Sequence, residues 1–390
     1  MKRLYIAVVF MCLFAMNTYS QIENLKLNGY VQTDFAVVGK DGKAFIGPAW
    51  SEARDGNSDY YFRYGVKRGL IRGTFSSGKG KGALEINVTE AGVIPLVAFG
   101  EYDFTDWFSM QAGLLNIDFG YELMYPSSKL ETLERSMHTQ MLFPKEHDLG
   151  FQTTFKLPIS SQKSNLTLSL ALMSGNGINK IADKNMNFMS HLKYDYSAEK
   201  YAFGLGFSWY EGKTNNADTL FHEIKNSQWL AKQVDANRKN TRRYINFEAE
   251  LDLFNSFGTS SFRTECTFGI QPSQEKDFTS QDGNSYNINN AFSYSRHFLG
   301  AYLYYIQQLG TTPFMLIAKY AYLDKNTQLS SSQITNPTDA AFNNFGIGLK
   351  YNYNEHISME IFYDKYTNEH NSFVKELKDD VCHLRLQYLF

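Results

Sequence analysis

The chain has 390 residues and a formal charge of -2, from 38 basic and 40 acidic side chains, which leaves no basic excess for a nucleic-acid partner. Its mean hydropathy is -0.38, and no apolar stretch after the first twenty residues is long enough for a membrane helix. Aromatic residues nevertheless reach 16%, with 31 Phe and 26 Tyr against 8 Pro, so the mixture is polar on average yet strand-favouring.

The first element is a leader. Met1-Lys2-Arg3 is basic, Leu4 to Ala15 is apolar, and Thr18 and Ser20 precede a cleavage expected before Gln21. Residues 1–20 are therefore expected to be a secretory signal peptide and 21–390 the mature chain. Cys12 lies in the apolar run without small residues directly before it, so it does not read as a lipid-modified cysteine.

From there the chain alternates. Leu25, Leu27, Gly29, Val31, Thr33 and Phe35 interleave with Lys26, Asn28, Tyr30, Gln32 and Asp34. The pattern predicts strands near 25–37, 60–75, 82–90, 93–103, 107–117, 148–158, 164–174 and 189–197. It continues near 200–211, 241–254, 259–270, 293–308, 312–323, 343–353, 356–366 and 379–390. Connections alternate between long (38–59, 118–147, 175–188, 212–240, 271–292, 324–342, 367–378) and short, with a tight hairpin at Ala91-Gly92 standing where a long loop is due.

An even strand count with loops at one end and turns at the other predicts a transmembrane, up-and-down antiparallel β-barrel of about sixteen strands. Lipid offers backbone groups no hydrogen-bond partner, so a spanning sheet must close on itself. The last strand, D-V-C-H-L-R-L-Q-Y-L-F from Asp380 to Phe390, is then expected to pair with the first, with Phe390 at the periplasmic interface. A secreted β-sandwich would also alternate, but its Greek-key connections do not sort into two sizes. The apolar faces imply outer-membrane lipid as a partner and the outer membrane of a Gram-negative bacterium as the location.

F-R-Y-G-V-K-R-G-L-I-R-G (Phe62 to Gly73) resembles the early basic strand of the phosphate-selective porins O and P. Q-A-G-L-L-N-I-D-F-G-Y-E (Gln111 to Glu122) resembles that family's strand-to-loop motif. L-E-R-S (Leu133 to Ser136) and L-F-P-K-E-H-D-L-G-F-Q (Leu142 to Gln152) resemble the segment closing its third long loop. The resemblance implies a sixteen-stranded homotrimeric porin whose third long loop, near 118–147, folds inward to narrow the channel. Gly113, Phe119, Gly120 and Glu122 keep the motif, whereas Gln111, Asn116 and Asp118 replace its cations and proline, which supports the loop's backbone shape more than an anion preference.

Alternation turns Lys26, Lys156, Lys193, Arg263, Lys319, Lys350 and His383 inward, together with Asp34, Glu85, Asp195, Glu248, Glu250, Asp252, Glu265, Glu360 and Asp364. Candidate pore-lining or anion-binding residues are Arg63, Lys67, Arg68, Arg72, Asn116, Arg135, Lys145 and Arg385. Arg68 and Arg72 are out of phase with Arg63 and Lys67, which demands a bulge or a place at the rim. Guanidinium forks suit phosphate, so Lys67, Arg68, Arg72 and Arg135 are the candidate anion-attracting stripe. The competing reading pairs these cations with luminal carboxylates. The evenly mixed signs favour a general pore for small hydrophilic solutes, with mild preference for phosphate or other anions.

No motif sets a nucleophile beside a base, and no metal or cofactor signature is present, so neither catalysis nor a cofactor is expected. D-K-N at Asp183 to Asn185 and D-G-N at Asp282 to Asn284 read as turns before they read as Ca²⁺ loops. The alternative function is a ligand-binding surface barrel using loops 212–240 and 271–292, with Trp229 among the contact residues. A hydrophobic-solute transporter would need a plug, for which Gln21 to Asn24 leave no room.

Overall fold

In a computed structural model, the structure describes residues 24–41, 52–53, 59–157, 159, 163–175, 177, 185–215, 219–235, 238–274, 293–334 and 337–390. The leader with Cys12, Asp183, the Asp282 to Asn284 triplet and most of loop 271–292 lie outside the described residues.

Among the described residues, one sheet of nineteen strands accounts for nearly all the regular structure. Three of its strands are short pieces inside loops: Glu52–Ala53, Leu220–Lys225 and Gln228–Gln233. The other sixteen are the wall. They are β1 (Asn24–Gly39), β2 (Tyr60–Ser77), β3 (Gly80–Thr89), β4 (Gly92–Thr105), β5 (Phe108–Asn116), β6 (His147–Leu157), β7 (Ser164–Met173) and β8 (Asn187–Ser197). Then come β9 (Tyr201–Asn215), β10 (Lys239–Asn255), β11 (Gly258–Gln274), β12 (Ser293–Gln308), β13 (Phe314–Asp324), β14 (Ala341–Asn352), β15 (Ile357–Asn368) and β16 (Val381–Leu389). Each pairs antiparallel with the next, as the alternation predicts. The hairpin at Leu220–Gln233 is an exception to expectation, because the whole segment 212–240 reads as loop in the sequence.

Closure is direct. β16 pairs with β1 from Tyr30↔Leu389 to Val38↔Val381, and Gly29 and Phe390 exchange two backbone hydrogen bonds of 3.0 Å. The terminus is therefore stitched into the wall, and no sheet edge remains between the first and last strands.

The outer face is apolar along the strands. Leu25 and Leu27 are 69% and 70% exposed, and Leu205, Phe207, Trp209, Phe345, Ile347, Leu386 and Tyr388 are exposed with them. Exposed apolar side chains on this scale suit hydrocarbon rather than water. At the short-turn end Phe104, Trp107, Phe108 and Phe155 stack with centroids 5.0 to 6.3 Å apart, and Tyr60, Phe62 and Tyr64 are exposed at the loop end. These are the places of the two interfacial girdles. Cys266, opposite Phe247, and Cys382, opposite Tyr363, are free thiols on this outer face.

The phase break in β2 is a bulge. Gln32 faces Arg68 while Thr33 faces Val66, so Lys67 is the extra residue. The bulge brings Lys67 and Arg68 to the same inner carboxylate, that of Glu134.

One expectation fails. The inner face is not polar on every strand: Tyr302, Tyr304 and Ile306 of β12, Ile317, Ala321 and Leu323 of β13, Phe342 of β14 and Phe362 of β15 form a buried cluster inside the barrel. On β12 both faces are apolar, since Leu303 and Tyr305 point outward beside them. The reason is the third long loop, which lies on that wall.

Candidate functional site

The loop from 117 to 146 leaves β5, enters the barrel and returns to β6. Asp118 accepts a hydrogen bond from His191 Nδ1 of β8 at 2.8 Å, and His191 Nε2 meets Glu248 of β10 at 3.3 Å. Burial opposes ionisation of Asp118, yet His191 beside it holds the carboxyl below its ordinary value. Gly120 then takes φ +66, a conformation costly for other residues, and a Cβ there would lie 2.9 Å from the Glu265 carboxylate. This close approach lets the Tyr121 and Glu122 amides, at the start of α1 (Gly120–Met124), donate to that carboxylate. The loop motif residues Gly120 and Glu122 are thus explained locally. Glu122 itself accepts from the Ser136 amide at 2.9 Å and the Tyr304 hydroxyl at 2.7 Å, tying the two halves of the loop to the wall.

The middle of the loop crosses the lumen. Ser127 and Ser128 carbonyls accept from Gln32 and Gln387 on β1 and β16, whereas Glu131 pairs with Arg263 of β11 at 3.2 Å. Glu134 then returns to the first wall, where Lys67 (3.1 Å), Arg68 (3.2 Å) and Arg385 (2.7 Å) converge on it. Burial would raise the Glu134 carboxyl, but these three cations hold it well below the usual carboxylate range. Leu133 and Met137, flanking that carboxylate, pack into the apolar cluster of β12 to β15. The second short helix, α2 (Met137–Leu142), reaches β12 because Gly300 has no side chain: a Cβ there would meet His138 Cβ at 2.3 Å.

Each candidate cation now has a place. Lys67, Arg68 and Arg385 are gathered on Glu134, and Arg385 also grips Asp34 through both oxygens at 2.6 Å. Arg135, buried, binds the Tyr125 carbonyl (2.8 Å), Ser127 (3.0 Å) and Glu146 (3.2 Å), so it braces the loop against itself. Arg72 pairs with Glu85 at 3.0 Å, and Arg63 is buried near the outer end of β2 with its guanidinium 5.7 Å from the Tyr61 ring. Two residues stand apart. Asn116 is exposed at the end of β5, on the opposite face from the buried Leu115, and Lys145 is exposed on the returning limb of the loop. The structure does not bring either to the Glu134 cluster.

The same pairing continues around the wall: Lys193 with Glu250, Arg263 with Asp252 at 2.8 Å, Lys319 with Asp364 at 2.6 Å. Sequence reasoning placed these side chains inward but missed the carboxylates that matter most, Glu131 and Glu134. Their signal was the L-E-T-L-E stretch, Leu130 to Glu134, where leucine and glutamate each recur at a spacing of three.

Near the outer mouth the Leu220–Gln233 hairpin folds down. Trp229 Nε1 donates to Asp339 at 3.2 Å, and Asp339 pairs with the buried Arg296 at 2.7 Å, whose guanidinium lies over the Tyr294 and Trp229 rings. Trp229 thus packs against the protein's own core rather than standing out toward a ligand.

No protein-family model and no curated protein matches the chain. Solved structures do. It is similar to OmpF of Salmonella typhi in complex with daunomycin (11% identity, TM-score 0.58, covering 96% of this chain and 99% of that one). It is similar to OmpT of Vibrio cholerae in its trimer form (9% identity, TM-score 0.55, 94% and 99%) and to the outer membrane channel DcaP of Acinetobacter baumannii (12% identity, TM-score 0.55, 94% and 97%). At such identities the likeness carries the fold alone, a closed sixteen-strand antiparallel barrel, and lends no support to the phosphate-selective subtype.

Proposed function

We propose that the chain is an outer-membrane porin of a Gram-negative bacterium, a channel rather than an enzyme, through which small hydrophilic solutes diffuse passively. The observation that carries this reading is the loop seated across the lumen of a closed barrel whose outside is apolar. On the loop Lys129 is exposed, and on the wall Lys26 and Lys156 are exposed and Arg72 is partly so, as a water-lined passage requires.

On this reading the pore is general or weakly anion-selective, not tuned to phosphate. A cation that already holds a carboxylate near 3 Å adds little net field for a passing anion; Arg72 and Arg135 each do so, and Lys67, Arg68 and Arg385 share the carboxylates of Glu134 and Asp34, which leaves one net positive charge among the three. A homotrimer fits the reading, because OmpT of Vibrio cholerae is described in a trimer form. Liposome swelling with small sugars tests the channel: swelling is expected, and impermeable vesicles holding correctly folded protein would refute it. Reversal potentials in a KCl gradient test the selectivity. A small value is expected; a strongly anion-selective value abolished by Lys67→Glu or Arg135→Glu would overturn weak selectivity.

A further inference from the structure

The last outer loop folds back over the mouth before β16 begins. Asn371 anchors it: Nδ2 donates to the Ser331 and Ile334 carbonyls of the neighbouring loop, both at 2.8 Å, and Oδ1 accepts from the Val374 amide at 2.9 Å. Asn368, at the end of β15, accepts from the Leu377 amide at 2.9 Å and donates to the Lys375 carbonyl at 3.0 Å. Val374 and Leu377 thereby pack into the buried cluster that holds Val38, Tyr61, Tyr366 and Val381. The loop ends on the barrel seam. There the Asp41 amide donates to the Lys378 carbonyl at 2.9 Å and the Gly39 amide to the Asp380 carbonyl at 2.8 Å.

Between those two bonds sits Asp379. Its side chain is fully buried, and neither carboxylate oxygen accepts a hydrogen bond of normal geometry. What faces it is acidic. Asp41 beyond β1, and Glu376 and Asp380 on its own segment, oppose its ionisation, and Asp379 acts in the same way on the Tyr366 hydroxyl of β15. Lys40 and Lys378, on either side of the seam, are held by Asp59 at 3.5 and 3.0 Å. Burial above all, then the three carboxylates, push the Asp379 carboxyl up to about 7, with its own amide offsetting part of the rise. A buried carboxylate without donors is costly, so the neutral acid is the form this seat fits.

We propose that Asp379 is a proton-operated catch: protonated, it lets the last outer loop lie packed at the channel mouth, and its ionisation in less acidic surroundings releases the loop. The proposal rests on reading the lumen as a solute path, since only then does the loop gate anything. In the released loop the carboxyl meets water and titrates near its ordinary value of about 4. The packed form binds the proton more tightly. It is therefore favoured fully below about pH 4, loses ground as pH rises toward 7, and changes little above that.

The test is hydrogen exchange of segment 369–380 in the full-length, detergent-solubilised barrel between pH 5 and 8. Each rate is divided by that of Asp379→Asn at the same pH, which cancels the intrinsic pH dependence of exchange. The ratio is expected to rise at least tenfold from pH 5 to 7 and then to level. Glu376→Gln removes one opposing charge and is expected to bring the plateau to lower pH, whereas the outward-facing Lys365→Gln leaves the profile unchanged. A heat-shift gel on each variant confirms the folded barrel. A ratio flat with pH, a profile indifferent to Glu376→Gln, or protection that follows added Ca²⁺ and not pH would overturn the catch. Bilayer conductance on the same preparation separates the two ideas: conductance with a flat ratio sinks only the catch, and the pH-dependent ratio without conductance sinks only the channel.

Discussion

Two walls hold the same loop by different physics. On β16, β1 and β2 the seat is ionic: three cations surround Glu134, and Gln32 and Gln387 take the neighbouring carbonyls. On β12 to β15 it is apolar: Leu133 and Met137 enter a cluster of tyrosine, isoleucine and phenylalanine side chains. The ionic seat is directional and costly to break one partner at a time, since whatever is left becomes an uncompensated buried charge. The apolar seat is tolerant of direction but sensitive to lost volume. Together they place a loop of thirty residues, 117–146, across the lumen without a continuous element of its own.

The contrast can be broken most sharply at Glu134. Glu134→Leu leaves Lys67, Arg68 and Arg385 facing one another, and the loop seat is expected to lose about 3–5 kcal/mol. Single-channel conductance should rise severalfold, and proteolysis should newly cut between 125 and 136; unchanged conductance with an uncut loop would contradict the ionic seat. Met137→Ala removes volume from the other seat at about 2–4 kcal/mol. It should loosen the loop equally at low and high salt, and a salt-dependent effect would show that the apolar wall is not what holds it.

Of these two seats, acid should act on the ionic one. Because the folded Glu134 carboxyl is held below its ordinary value of about 4.5, its stabilisation is complete above that pH and is lost as pH falls through the depressed folded value. Loop protection from protease is expected to stay level from pH 7 to about 5 and to decline only in stronger acid, below about pH 4. A decline already complete at pH 6 would point to a different group. Met137→Ala should keep the same pH midpoint, while Glu134→Leu should abolish it. The smallest effect is expected at the mouth: Trp229→Phe keeps the ring but loses the bond to Asp339, costing about 1 kcal/mol and raising hairpin exchange without altering conductance.

The wall was legible almost residue by residue. Ser293 to Gln308 begins and ends as the alternation predicts, and the other strands differ from their expected ends by a few residues. The inner position of Lys193, Arg263, Lys319 and Arg385 followed from period two alone, and even the Lys67 bulge announced itself as a broken phase. The candidate site was legible only in its types. Arg68, Arg135 and Arg385 could be named as inward cations, but whether a cation meets a solute or a carboxylate depends on Glu134, 66 residues from Arg68 and 251 from Arg385. Asn116 was named as a pore-lining candidate because a loop motif suggested its role, whereas strand phase puts it on the other face.

By itself the sequence determined the barrel, since lipid outside and water within impose opposite demands on successive residues, and such demands are written locally. Only the tertiary structure decided which charges are neutralised and why β12 is greasy on both sides. Those outcomes depend on where a long loop comes to rest inside the cylinder, and the pairing of groups scores of positions apart leaves no periodic trace.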